Sequence, residues 1–276
     1  NDTSIVNKIG DIIFVNPQQT LYMFDNTTQN MTRLSYQNYR FKTSGTLTVN
    51  MTTDTVNYFL LNGGGGGGGG RKPDPGIGGG GGKSLHGTSV FSGSYDIVIG
   101  EGRPGRAAGN RIMNDYNPSV AGDVNVGRTS ISNSSGFSVA TTGQETQTWW
   151  EEPYDGRGAF WNRSAYPGKD GLESNFYLGA GGGGGGVDGT ASHSGSMYPG
   201  ANGGYNGGGK GGDWDQNGSD GAANTGGGGG GGGLNDTYVA NNEKAGGAGG
   251  SGVVIIHLPE GKFDYTGSYD VTNLSF

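Results

Sequence analysis

The segment around Asp213 carries the oxygen-bearing side chains that calcium-binding loops use. It reads Asp213-Trp214-Asp215-Gln216-Asn217-Gly218, with carboxylate and amide oxygens at alternate positions before a glycine. This spacing matches the first half of a calcium loop, in which the glycine permits a sharp turn. The twelfth position of such a loop holds a bidentate glutamate, and here it is Asn224. Asp213, Asp215 and Asn217 are therefore candidate calcium ligands, and an ordinary polar turn is the competing interpretation.

Aromatic side chains in polar, turn-rich stretches are a second set of candidate binding residues. Exposed rings on loops stack on sugars and anchor protein interfaces at a small entropic cost. The residues that we predict to bind a cell-surface glycan or protein receptor are Trp214, Trp149, Trp150, Trp161 and Tyr154. For the three tryptophans of the long insert, the competing interpretation is a small local core.

Catalysis has little support in the residue pattern. The three histidines, His86, His193 and His257, are far apart in sequence, and no nucleophile motif accompanies them. The stretch 100–105 spells GxGxxG, but no amphipathic helix follows it, as a dinucleotide site would require. We therefore predict no catalytic residues, no enzyme activity, and no cofactor other than the candidate calcium.

Composition limits the partners. The chain of 276 residues has a net charge of -7, whereas binding to nucleic acid requires clustered Lys and Arg. No apolar run approaches the roughly 20 residues that span a bilayer. We therefore expect neither a nucleic-acid partner nor a membrane span. The chain has no Cys, which excludes disulfides and thiol chemistry.

Sequons for N-glycosylation are more frequent than the composition predicts. The nine sites, Asn1 included, suggest exposed loops of a secreted glycoprotein, although loops rich in Asn, Ser and Thr also generate such motifs by chance. The first residue is Asn1, which fits either a fragment or a mature form that has lost a leader. We expect an extracellular location, or the surface of a cell or virion. The predicted glycosylation sites are Asn26, Asn30, Asn50, Asn133, Asn162, Asn217, Asn235 and Asn273.

These candidate residues must be positioned by a backbone that is dominated by glycine. The chain contains 64 Gly, including runs of eight at 63–70 and 226–233. Ordering such a run costs about 1–2 kcal/mol per residue, so it orders only if its backbone groups find partners. The Gly-X-Y period of collagen is absent, and flexible linkers would mix Gly with Ser. The runs therefore predict extended polyglycine II helices that bond to one another.

The direction of these runs would decide where the loops lie. If they simply alternate, the loops at 71–77, 187–199 and 234–244 share one end of the bundle. The loops at 83–178 and 213–220 then share the other end. This arrangement would place all four tryptophans together.

Short apolar segments flank the glycine runs and predict strands. The stretch 39–49 alternates apolar and polar residues around a Ser-Gly turn, and 253–258 is continuously apolar. The predicted fold is all-β plus polyglycine II, with a small N-terminal β-sandwich followed by a bundle of extended helices with loop inserts. The predicted domains are a sandwich or strand-donating segment at 1–62, a glycine-rich domain at 63–258 with a large insert at 100–178, and a C-terminal tail strand at 259–276.

The order of these segments resembles a known family. The stretches concerned are Tyr39 to Thr46, Tyr58-Phe59-Leu60-Leu61 before a glycine block, Tyr95 to Gly100, and Gly249 to Ile256. They resemble the glycine-rich domain of phage and bacterial surface proteins and, more loosely, the polyglycine II tip adhesins of phage tail fibres. The resemblance covers about residues 39–258. It implies a packed array of polyglycine II helices with receptor-binding connecting loops.

Two functions of different classes remain open. In the first, the chain is a non-enzymatic, secreted and glycosylated subunit of a self-assembling, pilus-like extracellular fibre, and its partner is itself. An N-terminal strand within 5–15 could then add to the sheet edge of a neighbour. In the second, it is a receptor-binding adhesin at the tip of a phage tail fibre.

Overall fold

The computed structural model describes the parts of the chain that carry the sheets and most of the glycine segments. These are residues 12–15, 20–25, 30–33, 35–70, 75–76, 78–108, 127–141, 178, 187–188, 197–235 and 243–274. For β1 (Ile12–Val15), β2 (Thr20–Asp25) and β3 (Asn30–Arg33), the backbone alone is described. These three strands form a small antiparallel sheet in the order β1-β2-β3.

Two five-stranded antiparallel sheets form the main body. The first has the order β16-β4-β14-β6-β7, and the second has the order β10-β9-β8-β5-β15, with strand bounds as follows. The first sheet consists of β4 (Tyr36–Phe41), β6 (Thr55–Leu61), β7 (Ser84–Val90), β14 (Val253–Pro259) and β16 (Tyr269–Thr272). The second consists of β5 (Gly45–Val49), β8 (Gly93–Val98), β9 (Ser130–Ser132), β10 (Ser138–Ala140) and β15 (Phe263–Tyr265). A fourth, minor sheet joins β11 (Val187–Asp188) to β12 (Met197–Tyr198) and β13 (Leu234–Asn235).

The two large sheets pack face to face as a sandwich. Alternating residues of each strand point inward, such as Leu47 and Val49 on β5 and Val254 and Ile256 on β14, and all four are buried. This is the period-2 pattern that places one side of a strand in a core. The inward-pointing apolar side chains of both sheets form one contiguous cluster.

The centre of the first sheet is buried on both faces. Phe59 and Leu61 on β6 and Val253 and Ile255 on β14 form a second cluster with Leu178. This second cluster explains why 58–61 and 253–256 are continuously apolar rather than alternating, because a strand covered on both sides needs no polar face.

The glycine segments lie against one another beside the sandwich. The N–H groups of every third residue of the first run, Gly64, Gly67 and Gly70, donate to the carbonyls of Gly250, Gly247 and Lys244 at 2.8 Å each. The intervening residues bond to other segments, such as Gly65 N–H to Gly80 C=O at 2.8 Å. We call this region the glycine block. Its segments are 63–70, 75–76 with 78–82, 100–107, 200–204, 208–213, 217–222, 226–233 and 244–252.

Close approach of backbones explains the need for glycine in this block. A Cβ on Gly67 would lie 2.0 Å from the carbonyl oxygen of Gly230, and one on Gly249 would lie 2.1 Å from that of Gly64. Both separations are far below van der Waals contact, and the obstructing atoms belong to backbone that cannot rotate away. A methyl group would therefore force the segments apart.

The predicted bundle of extended helices is wrong. The described residues contain strands, which pair antiparallel in both large sheets, and no helix. The described glycine segments have neither helix nor strand structure, and their backbone groups bond to segments distant in sequence. The sandwich is also not confined to the N-terminal part: β4, β5 and β6 pair with strands from 84–98 and 253–272. The apolar strands on both sides of the glycine runs share one core, since neither set alone has enough apolar surface to bury.

A buried polar cluster joins the sandwich to the glycine block. Thr129 N–H donates to Asn62 Oδ1 and to Thr141 Oγ1, at 3.1 Å each. Thr129 Oγ1 donates to the carbonyl of Leu61 at 2.6 Å and accepts from Gly100 N–H at 3.0 Å. Thr129 therefore fixes the point at which β6 passes into the first glycine run.

Candidate functional site

The glycine block has two ends with different surroundings. At the sheet end, Gly82 N–H donates to Gly226 C=O at 2.7 Å, close to the end of β6. At the far end, Gly70 N–H donates to Lys244 C=O at 2.8 Å, and Gly76 N–H donates to Gly232 C=O at 2.8 Å. Candidate binding residues can thus be assigned to one end or the other.

Trp214 lies at the far end. It sits in a tight turn in which Gln216 N–H donates to Asp213 C=O at 2.9 Å, and its side chain is half-buried. Gly233 N–H donates to Gln216 C=O at 3.1 Å, which places this turn beside the ends of the two long runs. The other predicted receptor-binding residues, Trp149, Trp150, Trp161 and Tyr154, lie outside the described residues.

The predicted division of loops between the two ends is wrong for the turn at 213–220. It shares the far end with Gly70, Gly76 and Lys244, which border or lie within the loops predicted at the opposite end. The stretch 200–212 is two antiparallel segments rather than one pass, since Gly211 N–H donates to Ala201 C=O at 2.8 Å across a turn at 205–207. The turn at 205–207 adds one pass and the segment 217–222 adds another, so the turn at 213–217 changes ends while Leu234 and Lys244 stay at the far end.

Residues with positive φ mark the two turns at the sheet end. Asn206 has φ 61° and Gly207 has φ 140°, while Asn224 has φ 59° and Gly226 has φ 63°. Asn and Gly are the residues that adopt this region at least cost. The pair Asn206-Gly207 is a recognised signal for a tight reversal, and it could have revealed the additional pass from the sequence.

The candidate calcium ligands contact protein donors. Asp213 Oδ1 accepts from Gly200 N–H at 2.9 Å and lies 3.6 Å from Lys210 Nζ, and Asn217 Oδ1 accepts from Ala245 N–H at 3.0 Å. The Asp215 side chain is exposed. Within the described parts of the chain, no three His, Asp or Glu residues converge on a point where a metal ion would fit. The calcium site stays a prediction.

Four of the predicted glycosylation sites have described side chains. Asn50, Asn217 and Asn273 are exposed, and Asn133 is half-buried. Asn133 Oδ1 accepts from the N–H groups of Ser135 and Phe137 at 3.1 and 2.9 Å, and thus shapes the turn between β9 and β10. Only the backbones of Asn30 and Asn235 are described, in β3 and β13, while Asn26 and Asn162 lie outside the described residues.

The outermost strand of the first sheet exposes apolar side chains. Tyr269 and Val271 on β16 are 44% and 55% exposed, although they lie on the sheet face that covers the core. Their neighbours on β4, Phe41 and Tyr39, are buried. The Tyr269 ring packs against Phe263 with centroids 5.4 Å apart. The core is therefore uncovered at this margin.

Charged residues hold β16 to β4 on the opposite face of the sheet. Arg40 Nε and Nη2 donate to the two carboxylate oxygens of Asp270 at 2.9 and 2.8 Å, and Lys42 Nζ lies 3.2 Å from Asp270 Oδ2. The hydrogen bonds from Arg40 lower the pKa of Asp270 and raise that of Arg40. A bidentate pair of this kind fixes the register of the edge strand.

The end of β16 is tied to the centre of the first sheet through Asn38. The Asn38 amide nitrogen donates to the Leu274 carbonyl, and Asn38 Oδ1 lies 2.7 Å from His257 Nδ1. Burial lowers the pKa of His257. Nearby, burial raises the pKa of Tyr265 to about 12, and its hydroxyl donates to the Thr43 carbonyl. These polar groups make structural contacts that hold strands together.

The sequence profile of a family described as Glycine-rich domain matches residues 42–259. The chain belongs to the glycine-rich domain family. This finding confirms the glycine-rich part of the resemblance. No curated protein and no solved structure matches the chain. No helix among the described residues of this glycine-rich domain is long and apolar enough to cross a membrane.

Sequence reasoning missed the open edge at β16. The residues Tyr269-Asp270-Val271-Thr272 alternate apolar and polar, which is a strand signal, but their position at a sheet margin depends on pairing with β4. Because β4 is more than 200 residues away in sequence, no local pattern indicates that pairing.

Proposed function

We propose that this glycine-rich domain protein is a non-enzymatic structural subunit that self-assembles into an extracellular fibre. The observation that carries the proposal is the uncovered core margin at β16, where Tyr269 and Val271 are half exposed on the inward face of an edge strand. Apolar side chains at an unpaired sheet edge favour the addition of a further strand.

The glycine block supports a mechanical role. Backbone hydrogen bonds join its segments to one another, as from the N–H groups of Gly64, Gly67 and Gly70, and most of its residues carry no side chain. A block of this kind supplies stiffness and spacing rather than reactive groups. Two groups of the sandwich with shifted pKa values, Asp270 and His257, are in structural contacts, with Arg40 and Asn38 respectively.

Assembly of the full chain tests the proposal directly. The purified protein should sediment as a concentration-dependent series of multimers, and electron microscopy should reveal filaments of uniform width. A single monomeric species at high concentration would refute self-assembly. For the secreted, glycosylated part of the proposal, the intact mass of the native protein should exceed the 28.1 kDa of the bare chain and fall after N-glycosidase treatment.

A second function, a receptor-binding adhesin at the tip of a phage tail fibre, is favoured by the position of Trp214. This half-buried ring lies in a turn at the far end of the block, away from the sandwich. A tip that presents turns on a rigid support suits the recognition of a cell-surface glycan or protein.

Substitution of this tryptophan tests the adhesin function. Trp214→Ala should reduce binding to receptor-bearing cells about tenfold or more, as expected when an aromatic anchor is removed. Tyr205→Ala is the matched control, since Tyr205 is 69% exposed on a turn at the sheet end. Equal effects of the two substitutions would show that the far end is not the binding surface. A native mass equal to the 28.1 kDa of the bare chain would favour this second function over the glycoprotein fibre.

A further inference from the structure

We propose that β16 of one copy pairs with β1 of a second copy, so that the subunits join head to tail. This inference rests on the proposed fibre function and identifies the two edges that would form the contact. It concerns Tyr269–Thr272 as the acceptor edge and Ile12–Val15 as the added strand.

The side chains of β16 extend the sandwich core beyond its last covered strand. On β4, Tyr39 and Phe41 are 5% and 0% exposed, whereas their partners on β16, Val271 and Tyr269, are 55% and 44% exposed. The Tyr269 ring contacts the same aromatic group that fills the core, with 6.0 Å between its centroid and that of Phe41. One further strand at this edge would cover both side chains.

The backbone N–H and C=O groups of Tyr269 and Val271 also point away from β4, toward the open side of the sheet. Lys42 N–H donates to Ser268 C=O at 2.9 Å, and the register pairs Asp270 with Arg40. Bonded and non-bonded residues alternate in an antiparallel pair, so Ser268, Asp270 and Thr272 direct their backbone groups toward β4. Tyr269 and Val271 therefore direct theirs toward the open side.

The usual protection of a sheet edge is missing at β16. Natural edges carry free charges, proline or a bulge that discourages pairing with another chain. The one charged residue of β16 is Asp270, and its carboxylate is held by Arg40 and Lys42 on the outer face. The opposite edge of this sheet, β7, has Leu85, Gly87 and Ser89 on the core side, so only one of these three residues is apolar, and its exposed Val90 lies on the other face. These differences select β16 rather than β7 as the acceptor.

The added strand must be apolar on the face that meets the core margin, and β1 satisfies this in either register. Its sequence is Ile12-Ile13-Phe14-Val15, so a shift by one residue still presents apolar side chains inward. Among the strands that the structure describes, β1 pairs with β2 on one side and with none on the other. Among the described strands, β1 and β16 of one copy do not pair with each other, and a contact between these unlike edges of two copies propagates into a chain of subunits.

Cysteine cross-linking tests this contact, because the natural chain has no Cys. Val271→Cys is combined in the full-length chain with Ile13→Cys or with Phe14→Cys, one double variant for each of the two registers. In the variant whose cysteines lie opposite each other, paired strands would place the two Cα atoms about 4.5–5.5 Å apart, within the range for a disulfide. Mild oxidation should give a ladder of covalent dimers, trimers and longer multimers that a reductant collapses to monomer. The matched control is Phe14→Cys with Val98→Cys, since Val98 is 47% exposed but lies on β8, which has a neighbour on each side. The control should give no ladder.

Each other outcome would overturn the inference in a distinct way. A fast-migrating oxidised monomer would show that the N-terminal sheet of the same copy covers β16. Filaments in electron microscopy without a ladder would refute this pair of edges and leave the proposed fibre function intact. Absence of both would refute both. As an independent check, Val271→Lys should reduce multimers at least tenfold, whereas Val98→Lys should leave them unchanged.

Discussion

In the sandwich, side chains fill the space between two sheets, whereas in the glycine block backbones lie against one another with almost no side chains between them. Ile256 is buried among apolar neighbours from both sheets, while the space beside the Gly67 Cα is so narrow that a Cβ there would lie 2.0 Å from the Gly230 carbonyl oxygen. The sandwich is stabilised chiefly by apolar burial, and the block by hydrogen bonds between segments. The two regions should therefore respond oppositely to a change in side-chain volume: loss of volume should harm the first, and gain of volume the second.

The largest expected effect is that of removing volume from the sandwich. Ile256→Ala should lower the free energy of unfolding by about 2–5 kcal/mol, because it leaves a cavity in a packed core. The measurement is urea unfolding followed by far-UV circular dichroism. Val98→Ala, on the exposed outer face of β8, should change stability by less than about 0.5 kcal/mol. A small loss at Ile256 would show that this core is not tightly packed.

Adding one methyl group to the block is the reciprocal test. Gly67→Ala should cost about 1–3 kcal/mol, because its Cβ would overlap the Gly230 carbonyl. Amide hydrogen exchange should accelerate in the segments 226–233 and 244–252 more than in β4 or β14. The control is Gly136→Ala, where φ is 98° and nothing lies within 4 Å, so that backbone strain alone applies. If Gly67→Ala costs no more than this control, close approach of the backbones is not what requires glycine.

The junction between the two regions can be weakened by removing one hydroxyl. Thr129→Val should cost about 1–2 kcal/mol, because the buried Leu61 carbonyl and Gly100 N–H lose their bond to Thr129 Oγ1. Thr48→Val is the control, since the Thr48 hydroxyl bonds to Ser94 Oγ on an exposed face. Equal unfolding midpoints for the two variants would exclude a specific role of the buried cluster.

The smallest expected effect is electrostatic and concerns the edge strand. The pKa of Asp270 is lowered in the folded protein by the hydrogen bonds from Arg40, so its stabilisation is present above the pKa of the unfolded chain, about 4. It should be lost as pH falls through the lower folded value. Because the pair is about one-third exposed, the contribution at neutral pH should be below about 1 kcal/mol. Stabilities of the natural chain and Asp270→Asn, measured by urea unfolding from pH 7 downward, should converge in acid; a constant difference would contradict this role.

Several elements could be predicted from sequence because their signals are local. The alternation in 39–49 and the apolar run 253–258 correspond to strands β4, β5 and β14. The failure to predict the glycine region correctly has a different cause. A glycine run has no side-chain periodicity, so nothing in it specifies whether its backbone forms a helix or which other segments it lies against.

The candidate site was less predictable than the strands. Trp214 was found from its residue type, but its position at the far end depended on the number of passes through the block. That number changed because of the turn at 205–207. The β16 edge has an alternating sequence that any surface strand could have, and only its pairing with β4 shows that Tyr269 and Val271 lie on the core side.

The sequence by itself determined that this chain would form strands and that its glycine runs need backbone partners. Alternation with period 2 is set by neighbouring residues, and the cost of ordering glycine is a property of the residue itself. The tertiary structure alone decided which strands became neighbours, which end of the block carries Trp214, and which edge of the core stayed open. Those outcomes depend on contacts between distant parts of the chain, such as that of Arg40 with Asp270, which are 230 residues apart. No local pattern specifies which strands pair over such a distance, because the strands come together only when they bury a common core.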